Sequence, residues 1–165
     1  MGHPPDRLIP HLRHLSVRFF DVLRSRPLSP TEQQRVSSLL RPAEAPLFWA
    51  QPVADQRHGL ASADHLAEQL PGRSDLQRAA LLHDVAKRHA RLGVMGRTFA
   101  SLSEILRMRV GGRVHVYLDH GPIGAEELAA AGAEEIVVEF TRAHHGARPE
   151  SIHEDDWSAL IAADR

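Results

Sequence analysis

Three observations predict an all-α fold. Apolar residues recur at spacings of three and four along nearly every patterned segment. Capping boxes, prolines and glycines mark where those segments start and stop. No two alternating segments pair convincingly as strands. Taken in order, Leu8, Leu12, Leu15, Phe19 and Leu23 form the stripe of a first helix ending before Arg26-Pro27. Ser29-Pro30-Thr31-Glu32 is a capping box with proline at the first helical position, opening a short helix to about Leu40. Pro42, Pro46 and Pro52 punctuate the next stretch, and Leu47, Phe48 and Trp49 between them read as an aromatic-apolar plug in the core.

A helix from about Val53 to Leu70 carries His58 and is stopped by Pro71-Gly72. Ser74-Asp75-Leu76-Gln77 reads as a second capping box, opening a helix that runs through His83-Asp84 to about Ala90. Leu92 to Met108 reads as helical with interruptions at Gly93 and Gly96, and Gly111-Gly112 breaks it. Val114, Val116 and Leu118 alternate with polar residues and read as an irregular connection. Helices follow over Pro122–Ala131, Glu134–His144 and from about Glu154 to the terminus. Residues 1–52 are expected to form an N-terminal helical extension packed on a core domain of residues 53–165.

At 165 residues the chain is large enough to bury a core without staples. Its formal net charge is −1, from 20 Lys+Arg against 21 Asp+Glu, so nothing in the bulk charge argues for binding extended nucleic acid. With no cysteine, disulfides and thiolate ligands are excluded. No apolar run approaches the length of a membrane span, and Met1-Gly2-His3-Pro4-Pro5 lacks the pattern of a secretion signal. A cytoplasmic protein with no membrane partner is expected.

The chemistry centres on His83-Asp84, adjacent residues inside the apolar run Ala79–Lys87. A run apolar nearly all round is the pattern of a buried element. Buried histidine and aspartate are costly unless both are paired. A divalent transition metal satisfies both at once, and imidazole with carboxylate suits Fe, Mn, Co, Ni or Zn. His58 upstream and Asp164 at the end of another apolar run supply the remaining ligands of a first site, leaving coordination positions open for water. Gly59 beside His58 lets another backbone or a ligand approach closely.

A second group follows in Asp119-His120-Gly121-Pro122 and Ala143-His144-His145-Gly146. Each histidine stands at a helix boundary beside a glycine. With Asp84 as a bridging ligand, His120 and His144 would hold a second metal, the arrangement that clamps an in-line phosphoryl displacement. Lys87, one turn beyond His83, fits beside a metal only if an anion lies between, and phosphate is the natural candidate. Arg88 and Arg91 begin an arginine-rich segment, and Arg148 follows His144 by four residues, so all three are candidate phosphate ligands. His65 shares the helix face of His58, His145 reads equally as a ligand and as a boundary residue, and His3, His11, His14, His89, His115 and His153 read as surface or supporting residues.

The order His58, His83-Asp84, Asp164 resembles the signature of the HD superfamily of metal-dependent phosphohydrolases, over about Val53 to Arg165. His120-Gly121-Pro122-Ile123-Gly124-Ala125 and Ala143-His144-His145-Gly146-Ala147-Arg148-Pro149 are similar to the bacterial enzymes that split diadenosine tetraphosphate symmetrically. Those enzymes carry a small polar residue where this chain has His145. The entry Asp55-Gln56-Arg57-His58 looks like that of a group of small bacterial HD proteins. The branch that cleaves cyclic di-GMP follows its histidine pair with a Gly-Tyr-Pro stretch, and here Gly146-Ala147-Arg148-Pro149 stands instead.

The resemblance implies an HD-domain helical bundle with one or two metals at its centre. It implies that His58, His83, Asp84 and Asp164 bind the first metal and His120 and His144 the second. Asp84 and Lys87 would be the catalytic residues, and Lys87, Arg88, Arg91 and Arg148 would contact a small phosphorylated substrate, most naturally a nucleotide. A homodimer is compatible with this reading. A di-iron oxygenase on the same scaffold and a non-catalytic nucleotide sensor are the alternatives. Oxygen consumption would mark the first, and tight binding without turnover the second.

Overall fold

A computed structural model describes residues 25–92, 96 and 111–164. The expected first helix over Leu8–Leu23, and all of the expected Leu92–Met108 helix apart from Leu92 and Gly96, lie outside the described residues. Among the described residues the chain forms nine helical segments. They are α1 (Pro30–Leu39), α2 (Ala45–Trp49), α3 (Val53–Gln69), α4 (Ser74–Leu82), α5 (Lys87–Ala90), α6 (Gly112–Leu118), α7 (His120–Ala130), α8 (Glu135–Ala143) and α9 (Glu154–Ala163). The all-α expectation holds. None of these helices is long and apolar enough to cross a membrane.

Helix α4 is the central element. Every residue from Leu76 to Leu82 is buried, Gln77 and Arg78 included. Helix α3 pairs with one side of it and α8 with another, while α9 crosses α3 and α4, and α7 lies along α8. Helix α8 shows why the sequence packs this way: Val137, Val138, Phe140 and Thr141 fall on its inner face, with Glu135, Glu139 and Arg142 outside it. Val36 of α1 and Phe48 of α2 are fully buried in the same cluster as Leu66, Leu81 and Phe140, so the described part of residues 1–52 shares one core with the rest. Burying a leucine or phenylalanine in such a core contributes about 2 kcal/mol.

The capping box of α1 is present. Ser29 N–H donates to Glu32 Oε2 at 2.6 Å, and the Glu32 N–H donates back to Ser29 Oγ at 3.3 Å. These bonds, strongest from the Ser29 backbone, and the Arg57 guanidinium 3.1 Å away hold the Glu32 carboxyl down at about 2 from its ordinary 4.5. A carboxyl with a depressed folded value stabilises above its ordinary value and loses that contribution as the pH falls. Glu32→Gln is therefore expected to lower the melting temperature at pH 7. That gap should close between about pH 4.5 and 2 in a melting series across pH.

Four expectations are corrected. Ser74 is the first residue of α4 rather than its cap; Arg73 precedes it with no side-chain cap bond. The α-helix stops at Leu82, and His83–Ala86 form a turn before α5. Successive bonds from Val85 N to Leu82 O and from Lys87 N to Asp84 O tighten the chain there to an i→i+3 pattern. The stretch holding Val114 and Val116 is helical, since its alternation is too short to override a start at Gly111-Gly112. Of the aromatic plug, Phe48 is fully buried but Trp49 is 36% exposed, edge-on to it.

Candidate metal centre

The tightened turn after α4 presents His83 and Asp84 at the middle of the bundle, 1% and 3% exposed. Four other helix positions face them: His58 within α3, His120 at the first residue of α7, His144 just past α8 and Asp164 just past α9. The ligand set read from the sequence is brought together. His58, His83 and Asp84 each offer a donor atom within 4.8 Å of the others, and so do His120, His144 and His145. Asp164 Oδ1 completes the first group, 2.8 Å from His58 Nε2 and 2.9 Å from His83 Nε2. Asp84 stands between the groups, with Oδ2 3.5 Å from His83 Nε2 and Oδ1 3.0 Å from His120 Nε2 and 3.7 Å from His144 Nε2. His145, which the sequence left outside the set, joins the second group because the turn after α8 brings its ring, tilted by 44°, to 4.0 Å from that of His144.

The chemistry of this set fits a cation. His83, His120 and His144 each direct Nδ1 at the carbonyl three residues back, on Ala80, Tyr117 and Thr141, at 2.9, 2.7 and 2.9 Å. A carbonyl only accepts, so Nδ1 of each ring carries a proton and Nε2 is the atom turned inward. The inward atoms are then imidazole Nε2 nitrogens and carboxylate oxygens, groups that gather around a shared positive charge, whether a proton or a metal ion. His83 Nε2 and Asp84 Oδ1 are buried and make no well-aligned hydrogen bond, although Asp164 Oδ1 and His120 Nε2 approach them, and the Nε2 atoms of His120 and His144 face one another at 3.1 Å. Two ring nitrogens that meet with no proton between them repel, and a bound cation relieves the repulsion.

The local field has the same sign. Burial opposes a charged His83, yet the Asp84 and Asp164 carboxylates overcome it and hold the ring up at about 9. Burial equally opposes ionised Asp84 and Asp164. The positive His83 ring, with Lys87 beside Asp84 and His58 beside Asp164, still keeps both carboxyls well below the usual range. Partial burial, with His144 and His120 alongside, pushes His145 down to about 3, so its ring is neutral near pH 7.

Lys87 takes a different place from the one expected. Its Nζ lies 2.6 Å from Asp84 Oδ2, buried beneath the Tyr117 ring, whose centroid is 5.6 Å away. The anion between Lys87 and the cluster is thus Asp84 itself. Lys87 is four residues beyond His83 and three beyond Asp84, and it pairs with Asp84. Burial works against the ammonium, but the Asp84 carboxylate raises it above its ordinary value.

The three arginines have other surroundings. Arg88 Nη2 contacts both Glu127 oxygens at 2.9 Å. Arg148, exposed, donates to the Ile152 carbonyl at 2.7 Å. Arg91 is exposed and ends α5 in the left-handed region at φ 47°. His65 is exposed and lines a separate groove with Arg73, His153 and Asp156.

No family model, curated protein or solved structure matches this chain.

Proposed function

We propose that this chain is a cytoplasmic, metal-dependent phosphohydrolase of the HD superfamily, acting on a nucleotide or another small phosphoester or phosphoanhydride. The observation that carries the reading is the convergence of inward-turned imidazole Nε2 nitrogens with the Asp84 and Asp164 carboxylates. His58, His83, Asp84 and Asp164 would hold one divalent ion of Fe, Mn, Co, Ni or Zn, and His120, His144 and His145 a second, with Asp84 facing both. Such ions supply Lewis acidity toward phosphoryl oxygens and lower the pKa of water. Asp84, which turns one oxygen to each cluster, is suited to orient the attacking water. Lys87 has three N–H donors and Asp84 occupies one, so the others can meet a phosphoryl oxygen as its charge grows.

The test is the full chain, loaded in turn with each of the five metals. Substrates would be nucleoside mono-, di- and triphosphates, cyclic nucleotides, dinucleoside polyphosphates and p-nitrophenyl esters. Metal-dependent release of phosphate or nucleotide from one class is expected. Lys87→Ala should keep its metal and lose about a hundredfold in kcat on that substrate. Loaded protein that turns over none of them would overturn the reading.

A further inference from the structure

We propose that Gly59 and Gly121 are positioning residues, each setting the spacing of one histidine cluster independently of the other. The proposal rests on the two-cluster reading above. Gly59 follows His58 on α3, and a Cβ built there would lie 3.0 Å from Leu81 O and 3.3 Å from Leu81 Cα. Leu81 is two residues before His83, so this contact fixes how near α3 and its imidazole come to the end of α4. Gly121 follows His120 on α7, and a Cβ there would stand 2.9 Å from Thr141 O and 3.1 Å from Arg142 O. Those carbonyls lie three and two residues before His144. The same device thus occurs twice, with a ligand histidine, the glycine after it, and bare backbone pressed on the partner helix just before the second histidine.

What the glycines touch matters. A Cβ that meets the tip of a side chain can be accommodated by a rotamer change, but a main-chain carbonyl moves only with its helix. The rings held by these contacts lie 5.4 Å apart for His58 and His83 and 5.0 Å apart for His120 and His144, centroid to centroid. Metal–imidazole bonds of about 2.0–2.1 Å tolerate errors of only about 0.2 Å. A displacement of a few tenths of an ångström in one helix pair therefore spoils one cluster and leaves the other in register. Gly124, on α7 as well, meets the Thr141 Cγ2, Ala86 Cβ and Val85 Cγ2 side-chain atoms instead and is a packing position.

The experiment titrates metal-free full-length chain with Co(II), followed by calorimetry and by the visible absorption of the bound ion. Each glycine variant is made in the wild-type chain and in backgrounds lacking one cluster, His144→Ala or His58→Ala. Gly59→Ala should weaken by about 10–100-fold the site that survives in His144→Ala, and leave the site that survives in His58→Ala unchanged. Gly121→Ala should do the reverse. Leu66→Ala, a core truncation eight residues along α3 from His58, controls for lost stability and should leave both sites intact. Equal loss at both sites, no loss at either, or the same loss from Leu66→Ala overturns the proposal while the two-cluster reading stands. A wild-type chain that binds no Co(II) overturns both.

Discussion

Asp84→Ala is expected to empty the protein of transition metal and abolish turnover. Its two oxygens face one cluster each, 3.0 Å from His120 Nε2 and 3.5 Å from His83 Nε2. It is also the anion beside the buried Lys87 ammonium. Breaking a buried pair by removing one partner costs about 3–5 kcal/mol, within the 5–15 kcal/mol typical of a domain, so the helices should persist with a lower melting point. Elemental analysis per chain reads the first effect and circular dichroism the second. About two equivalents lost relative to wild type would support both sites, and one would leave only the four-ligand site. Full metal content in the variant would refute the assignment. The double variant Asp84→Asn/Lys87→Met removes both charges, so its metal content reports the ligand role free of any unpaired ammonium.

The second large effect lies on another face of α4. Glu44, fully buried, lies 3.5 Å from Arg78 Nε and accepts the Arg41 N–H at 2.9 Å. Arg78 and Arg41 both also pair with Glu134, which ties α4, the turn before α2 and the start of α8 together. Arg78→Ala strands Glu44 without its main counter-charge. A loss of about 3–5 kcal/mol is expected in denaturant unfolding, larger than for Arg35→Ala, whose partner Asp64 is about half exposed. Replacing both members, as Glu44→Leu/Arg78→Met, should recover most of the loss, because an apolar pair avoids the desolvation penalty. If the double variant is no more stable than Arg78→Ala, the buried pair is not the cause.

How much of this was legible in the sequence depended on the range of the signal. The capping box at Ser29, the stop at Pro71-Gly72 and the amphipathic run of α8 are local, and all three elements stand close to where they were expected. The ligand set was legible because each member is a polar residue at the end of, or within, an apolar run, and the structure brings all six together. His145 stood beside Gly146 at the same boundary, but whether its ring turns to the cluster depends on the turn after α8. Spacing placed Lys87 at the site, but not its pairing with Asp84, which depends on the turn that tightens at His83. The Glu44–Arg78 pair left no trace, since a charge on a helix looks the same whether the face it occupies is solvated or buried. Trp49 failed for the opposite reason: an aromatic pair in a five-residue helix cannot turn both rings inward.

The three carbonyls that receive Nδ1 of His83, His120 and His144 belong to the main chain, and that has a bearing on how the centre can change. Many metal sites recruit a carboxylate or amide side chain for this duty, which mutation can delete. Here substitutions at Ala80, Tyr117 and Thr141 leave the acceptor in place, since every residue brings the same carbonyl. Ring orientation is therefore inherited from the course of the backbone and is insulated from drift at the positions that supply it. Turning any of these three rings by design would mean moving a helix end, because the group that holds each one is main chain.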